Sequence, residues 1–169
     1  MPETSLAQLT TVSQAILDTT VIILNTTPAM APDSQFLTPS RPAFDCEFVA
    51  VQVSRLAEET TLPLSSVPIT GNRNRFGNII LATFIIYVVR CAPQMYGENA
   101  PTDAAKTASA TTVQEDGWAI WNGWREEQGI VFDNCQGVHF DGGLPIQEEG
   151  GFVGWTFQLR AMIEGYTPL

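Results

Sequence analysis

The sequence predicts an α+β domain: an antiparallel sheet of four to five strands built around a long β-hairpin, with two helices packed on one face, in the order α-β-β-α-β-β. Three observations predict it. Apolar residues recur every three or four positions in two separate stretches, near residues 5–24 and 102–129. They alternate with period two at 46–56 and again at 152–163. Between the first helix and the second lies "NIILATFIIYVVRC", residues 78–91, almost free of polar side chains until Arg90. At 169 residues the chain is long enough for one core and short for two, so it is read as a single domain, 1–169, with a Pro-rich connector at 25–44 and a long interstrand loop at 57–75.

In "SLAQLTTVSQAIL", Leu6, Leu9, Val12 or Ser13, Ile16 and Leu17 form a helical stripe, which predicts a helix from about Ser5 to Leu24. Its end, "TTVIILN", is β-branched and inclined to fray or turn extended. Residues 25–44 contain four prolines and no periodicity, the signature of a connector draped over a surface. In "CEFVAVQVSRL" Val49, Val51 and Val53 share one face of a strand, with Phe48, Ala50, Gln52 and Ser54 on the other. The stretch from 57 to 75 holds two prolines and a Gly-Asn and reads as an excursion between paired strands.

The run at 78–91 is β-branched and aromatic and is bracketed by Gly77 and Pro93, which favours strand over helix. Pairing 46–56 with 76–92 as a hairpin makes opposed residue numbers sum to about 137 and brings Cys46 near Cys91, although a one-residue slip separates them. At about 3.3 Å per residue, thirteen residues reach roughly 43 Å, long enough to overrun a single domain. The second helix has Thr102 or Asp103 as N-cap and Gly129 as stop, with Ala110, Val113, Gly117, Ile120, Trp121 and Trp124 on one face. Gly117 and Gly123 are unfavourable inside a helix unless something packs closely there. The remainder reads as a short strand, a Gly-Gly-Leu-Pro turn, and a last strand from about Phe152 to Ile163; "DGG" and "EGGFVG" are hairpin turns. In that last strand Val153, Trp155, Phe157, Leu159, Ala161 and Ile163 oppose Phe152, Thr156, Gln158, Arg160 and Met162.

Both faces of the 78–91 strand are apolar. Ile80, Ala82, Phe84, Ile86 and Val88 lie on one, and Ile79, Leu81, Ile85, Tyr87 and Val89 on the other. Two helices bury one face only, so the other needs a further layer, expected from a neighbouring copy of the chain; the alternative is that the 25–44 connector folds across it.

Composition narrows the function. Eighteen acidic residues against seven Arg and one Lys give a net charge of −10, which argues against a surface that grips a phosphate backbone. The start, Met1-Pro2-Glu3, lacks a basic n-region, so no signal peptide is expected and the cytoplasm is the expected place of synthesis. As a helix, residues 79–89 rise only about 16 Å, roughly half a bilayer core, so no membrane partner is expected. Three cysteines with no CxxC signal neither a disulfide framework nor a zinc site and read as buried or half-buried thiols. With His139 as the single histidine, there are no parts for a triad or a multi-His metal site, and a strand histidine satisfied by a neighbour is the expectation. The pairs Glu58-Glu59, Glu126-Glu127 and Glu148-Glu149 sit at element ends as solvated acids. The Gly-rich segments lack the Lys of a phosphate loop, and Trp118, Trp121 and Trp124 read as core. No catalytic residue, cofactor or metal is expected.

"CEFVAVQVSRL", "FIIYVVRCAPQM", "GWAIWNGWRE" and "CQGVHFDGGLPIQEEGGFVGWTFQLRAMI", in this order, resemble the tail terminator proteins of long-tailed siphophages, especially those of actinobacterial phages. The likeness lies in the "VVRC" strand end, the "WAIWNG" helix and the final P-x-x-x-x-GGFVGW hairpin, loosely over residues 1–24 and better over 45–165. The connector at 25–44 and the 57–75 loop depart from the pattern. The resemblance implies a structural virion subunit that closes into a ring of six, caps the finished tail tube, meets the head-tail connector or stopper protein, and lets DNA pass without binding it. A stopper or tail tube subunit is the neighbouring reading, and a small ligand-binding enzyme the reading from another class. Arg73, Arg75 and Phe76, at the loop's return, are candidates for touching the tube protein or a neighbour. Ile80, Phe84 and Ile86 are candidate interface residues on the long strand; Glu58, Glu59, Glu148 and Glu149 are candidate lumen or surface acids.

Overall fold

Helix α1 spans Ser5–Leu24, as its stripe predicts. Val12, Ile16, Leu17 and Leu24 are buried along one side. The β-branched end stays helical instead of fraying, because the Thr20 hydroxyl donates back to the Ile16 carbonyl at 2.7 Å and accepts the Trp124 indole N–H at 3.3 Å. Tertiary contact there outweighs local propensity. The helix closes when Thr26 and Thr27 each donate twice, backbone amide and hydroxyl, to the carbonyls of Ile23 and Leu24 respectively, which helps satisfy the last turn. These features come from a computed structural model that describes residues 5–42, 47–58, 78–94, 100–126, 135–149 and 151–166.

The connector is not without structure. Ser34–Thr38 forms strand β1, parallel to the next strand from Ser34↔Phe48 to Thr38↔Gln52. Five residues set between prolines carry too short a pattern to register as periodic, and the sheet is consequently mixed rather than wholly antiparallel. Strands β2, Phe48–Glu58, and β3, Asn78–Cys91, pair antiparallel. Phe48↔Val89 through Val53↔Phe84 have the expected sum of 137, and a bulge between Val53 and Arg55 then shifts the register by one.

Helix α2 spans Asp103–Glu126, and the Ala105 amide donates to Thr102 Oγ1 at 3.2 Å, which makes Thr102 the N-cap. Its two glycines mark close approaches. A Cβ on Gly117 would lie 2.5 Å from the Trp155 ring, and one on Gly123 2.7 Å from Ile23. The first packs the helix on the sheet, the second packs it on α1.

Strands β4, Cys135–Glu149, and β5, Phe152–Tyr166, are each 15 residues long. The Gly-Gly-Leu-Pro segment is therefore not a turn. Gly142 and Gly143 lie within β4 beside a bulge after Phe140, and the Phe157 side chain occupies the space that a Cβ on Gly143 would need. The chain reverses instead beyond Glu149, before Phe152. The sheet order is β1-β2-β3-β5-β4. β3 is paired with β5 from Asn78↔Tyr166 to Cys91↔Phe152, so it does not overrun its domain, because β5 matches its length.

Both helices cover the same face. Under them Val49, Val51, Ala82, Phe84, Ile86, Val88, Leu159 and Ala161 meet Ile16, Leu24, Ile120 and Trp124 in one core. The segment Ala7–Leu24 is long and apolar enough by length and composition to cross a membrane, but in this fold its buried side belongs to that core.

Candidate assembly surfaces

The face of the sheet opposite the helices divides into two halves. Toward the Cys91 end, Phe48, Ala50, Tyr87 and Val89 form a second buried cluster, flanked by Phe36, Ile85, Ile146 and Phe152. Its cover comes from this chain: Phe36 of β1 sits with its ring 5.4 Å from that of Phe48. The Tyr87 hydroxyl donates to Gln52 Oε1 at 2.8 Å. Burial raises its pKa above the ordinary 10.0, while the Arg41 guanidinium, brought close by the chain returning from β1 to β2, pulls it down. The connector therefore does shield part of this face.

Toward the Asn78 end the face is polar. Gln158 and Arg160 of β5 alternate outward there beside Thr83 and Ser54. Asp141 of β4 receives Arg160 through two nitrogens, Nε at 2.8 Å and Nη2 at 2.6 Å, and lies 3.4 Å from His139 Nε2. His139 thus has a carboxylate neighbour two residues along its own strand. Leu81 and Ile85 are half-buried beside these groups, and Leu144, opposite Thr156 in the row of Tyr87, is 72% exposed. The face is less uniformly apolar than β3 alone suggests, because its partner strand supplies the polar side chains.

A third surface escaped the sequence. Between α2 and the β4–β5 hairpin runs a groove of about 900 Å³ whose walls include Pro93, Pro101, Val113, Pro145, Val153 and Trp155, with Lys106 at its rim. Trp155 is fixed in place by its indole N–H, which donates to the Val113 carbonyl at 2.7 Å. Pro93 and Pro101 from the β3–α2 connection meet Pro145 of β4 here, a grouping that no linear pattern reveals.

The structure scatters the candidate residues. Arg73, Arg75, Phe76 and Glu59 lie outside the described residues, as does Glu127. Phe84 and Ile86 are fully buried beneath the helices, so their role as interface residues is corrected: the face of β3 they share is the one this chain covers itself. Ile80, on the same face near the strand's start, is half-buried. Glu58 pairs with Ile80 at one end of the sheet and Glu149 with Phe152 at the other, so these two positions lie at opposite ends.

Of the three tryptophans only Trp124 is core. Trp118 is 69% exposed, while Trp121 lies edge-on to Phe140 with Arg125 above it. At 100° per residue, a spacing of three drifts by 60° each step and carries Trp118 off the buried face. The cysteine expectation is also corrected: Cys91 is disulfide-bonded, whereas Cys135 is a buried thiol; Cys46 lies outside the described residues. Among the described residues no three metal-ligating side chains converge. No family model matches the chain, and no curated protein matches it.

Proposed function

We propose that this chain is a structural subunit of a phage tail, a tail terminator that closes into a ring of six, caps the tail tube and joins it to the head connector or stopper. Its place is then the virion neck, with assembly in the host cytoplasm. The observation that carries the reading is the sheet's open face, where Leu81, Ile85 and, in the row of Tyr87, the exposed Leu144 flank a polar stripe of Gln158 and Arg160 that neither helix covers. Mixed apolar and polar patches of this kind suit contacts between copies. The net charge of −10 suits a channel wall that repels DNA rather than holding it. The order of elements and the residues that carry the resemblance support the same reading.

Measuring the mass of the purified assembly tests it. A closed particle of about six copies is the expected result, growth into open tubes would favour a tube subunit, and a stable monomer at micromolar concentration would overturn self-assembly. Particles lacking the protein are expected to contain filled heads and separate tails.

A further inference from the structure

We infer that the hollow around Arg55 on the open face of the sheet receives carboxylates presented by the helix layer of a second copy of this chain. The inference deepens the proposed ring, whose self-assembly it presupposes.

The bulge in β2 makes the hollow. Strict alternation after Val49, Val51 and Val53 would point Arg55 beneath the helices, among apolar side chains. The register shift between Val53 and Arg55 turns it over: Arg55 pairs with Thr83, which lies between the buried Ala82 and Phe84 and therefore faces the other way. Thr83 pairs in turn with Arg160, and Arg160 with His139. One row across four strands thus carries Arg55, Thr83, Arg160 and His139 on the open face of a chain whose net charge is −10. A hollow of about 630 Å³ opens beside this row, and Ser54, Arg55, Thr83, Asp141, Gln158 and Arg160 all line it.

The charges in the hollow do not cancel. Asp141 accepts from Arg160 and also from Gln158 Nε2 at 3.3 Å, so its oxygens are already engaged. Arg55 is exposed, and among the described residues no carboxylate lies within ion-pair distance of it. Its planar fork of donors matches a carboxylate, and the Thr83 hydroxyl in the same row offers one more donor.

The occupant follows from where unpaired acids stand on the molecule. On the helix layer Asp18 of α1 and Glu126 of α2 are exposed, and among the described residues neither has a cationic partner. Each lies two residues from the hydrogen bond between Trp124 and Thr20, so both carboxylates flank one helix crossing. Copies of equal net charge repel unless unlike patches meet. A cationic open face against an acidic helix layer is such a meeting. Because the two surfaces differ, the contact runs head to tail, which builds a ring when the rotation closes.

The test compares, by sedimentation at low and high salt, the wild type, Arg55→Glu, the double variant Asp18→Arg with Glu126→Arg, and all three substitutions in one chain. The three positions are exposed, so the variants are expected to fold, and their urea midpoints check this. Arg55→Glu and the double variant are each expected to associate on the order of tenfold more weakly than the wild type, with the gap widest at low salt, and the triple variant to recover most of that loss. If the wild type assembles and Arg55→Glu assembles equally well, the hollow contact is overturned while the ring survives. Weakening by Arg55→Glu that the triple variant does not recover overturns the helix layer as the occupant. Calorimetric titration with inorganic phosphate adds a further outcome: binding that Arg55→Glu abolishes without changing association would make the hollow a site for a free anion and overturn the contact. A monomeric wild type removes the ring and this contact together.

Discussion

Among the described residues an arginine–aspartate pair lies on each face of the sheet, and the two pairs differ in their surroundings. On the helix face Arg90 of β3 meets Asp116 of α2 through Nε at 2.8 Å and Nη2 at 3.1 Å, with side-chain exposures of 7% and 1%, and also donates to the Met30 carbonyl. On the open face Arg160 meets Asp141 with comparable geometry but exposures of 36% and 22%. The first pair ties a strand, a helix and the connector together in a dry interior. The second joins adjacent strands at a surface still accessible to solvent. The helix face is thus filled within one chain, whereas the Arg160 end of the other face keeps its charged pair in contact with solvent.

The largest expected effect separates the faces by packing. Phe84→Ala removes a fully buried ring from beneath the helices and is expected to cost about 3–5 kcal/mol, enough to threaten folding of a typical domain. Leu144→Ala, at 72% exposure on the open face, is expected to stay within about 0.5 kcal/mol. Urea unfolding of the two variants measures both, and equal losses would end the distinction between a finished and an open face.

That distinction also marks how far the sequence could be read. The bounds of α1, the Thr102 cap, the alternation of β5 and the sum of 137 between β2 and β3 were all legible, because each rests on periodicity or on side chains a few residues apart. Which apolar face of β3 the helices choose was not. Ile80, Phe84 and Ile86 on one side and Leu81, Ile85 and Tyr87 on the other are equally apolar as strings, and the decision comes from Leu159 and Ala161 facing one way while Gln158 and Arg160 face the other across a pairing 70 to 80 residues distant. β1 was lost because five residues cannot display a period. Gly142-Gly143 was misread because the same dipeptide serves a turn or a bulge, and Phe157 rather than local chemistry selects the bulge. The groove, assembled from Pro93, Pro101 and Pro145, had no linear signal.

A smaller effect sharpens the comparison of the two ion pairs. Asp116→Asn keeps the shape but leaves the Arg90 charge buried without its counter-charge, and is expected to cost about 2–3 kcal/mol. Asp141→Asn removes the counter-charge of a partly hydrated arginine and is expected to cost no more than about 1 kcal/mol in the isolated chain. Adding salt is expected to reduce the second cost further and to leave the first nearly unchanged, since exposed pairs are screened and buried ones are not. Denaturant midpoints at low and high salt give both quantities, and matching salt responses would show that the two environments are alike.

The smallest effect concerns the covered half of the open face. Burial holds the Tyr87 pKa above its ordinary 10.0 despite the opposing Arg41 charge, so the folded chain keeps that proton more tightly than the unfolded chain does. The stabilisation is fully present below pH 10 and is lost as pH rises from there through the folded value, because in that window the unfolded state releases the proton first. Tyr87→Phe removes the hydrogen bond to Gln52, at about 1 kcal/mol below pH 10, and removes this part of the alkaline slope. The stability difference between wild type and variant, followed by urea unfolding from pH 8 to 11, is expected to narrow above pH 10. A difference that stays constant across that range would mean that Tyr87 is as well hydrated as the unfolded chain, and that the connector does not shelter this end of the sheet.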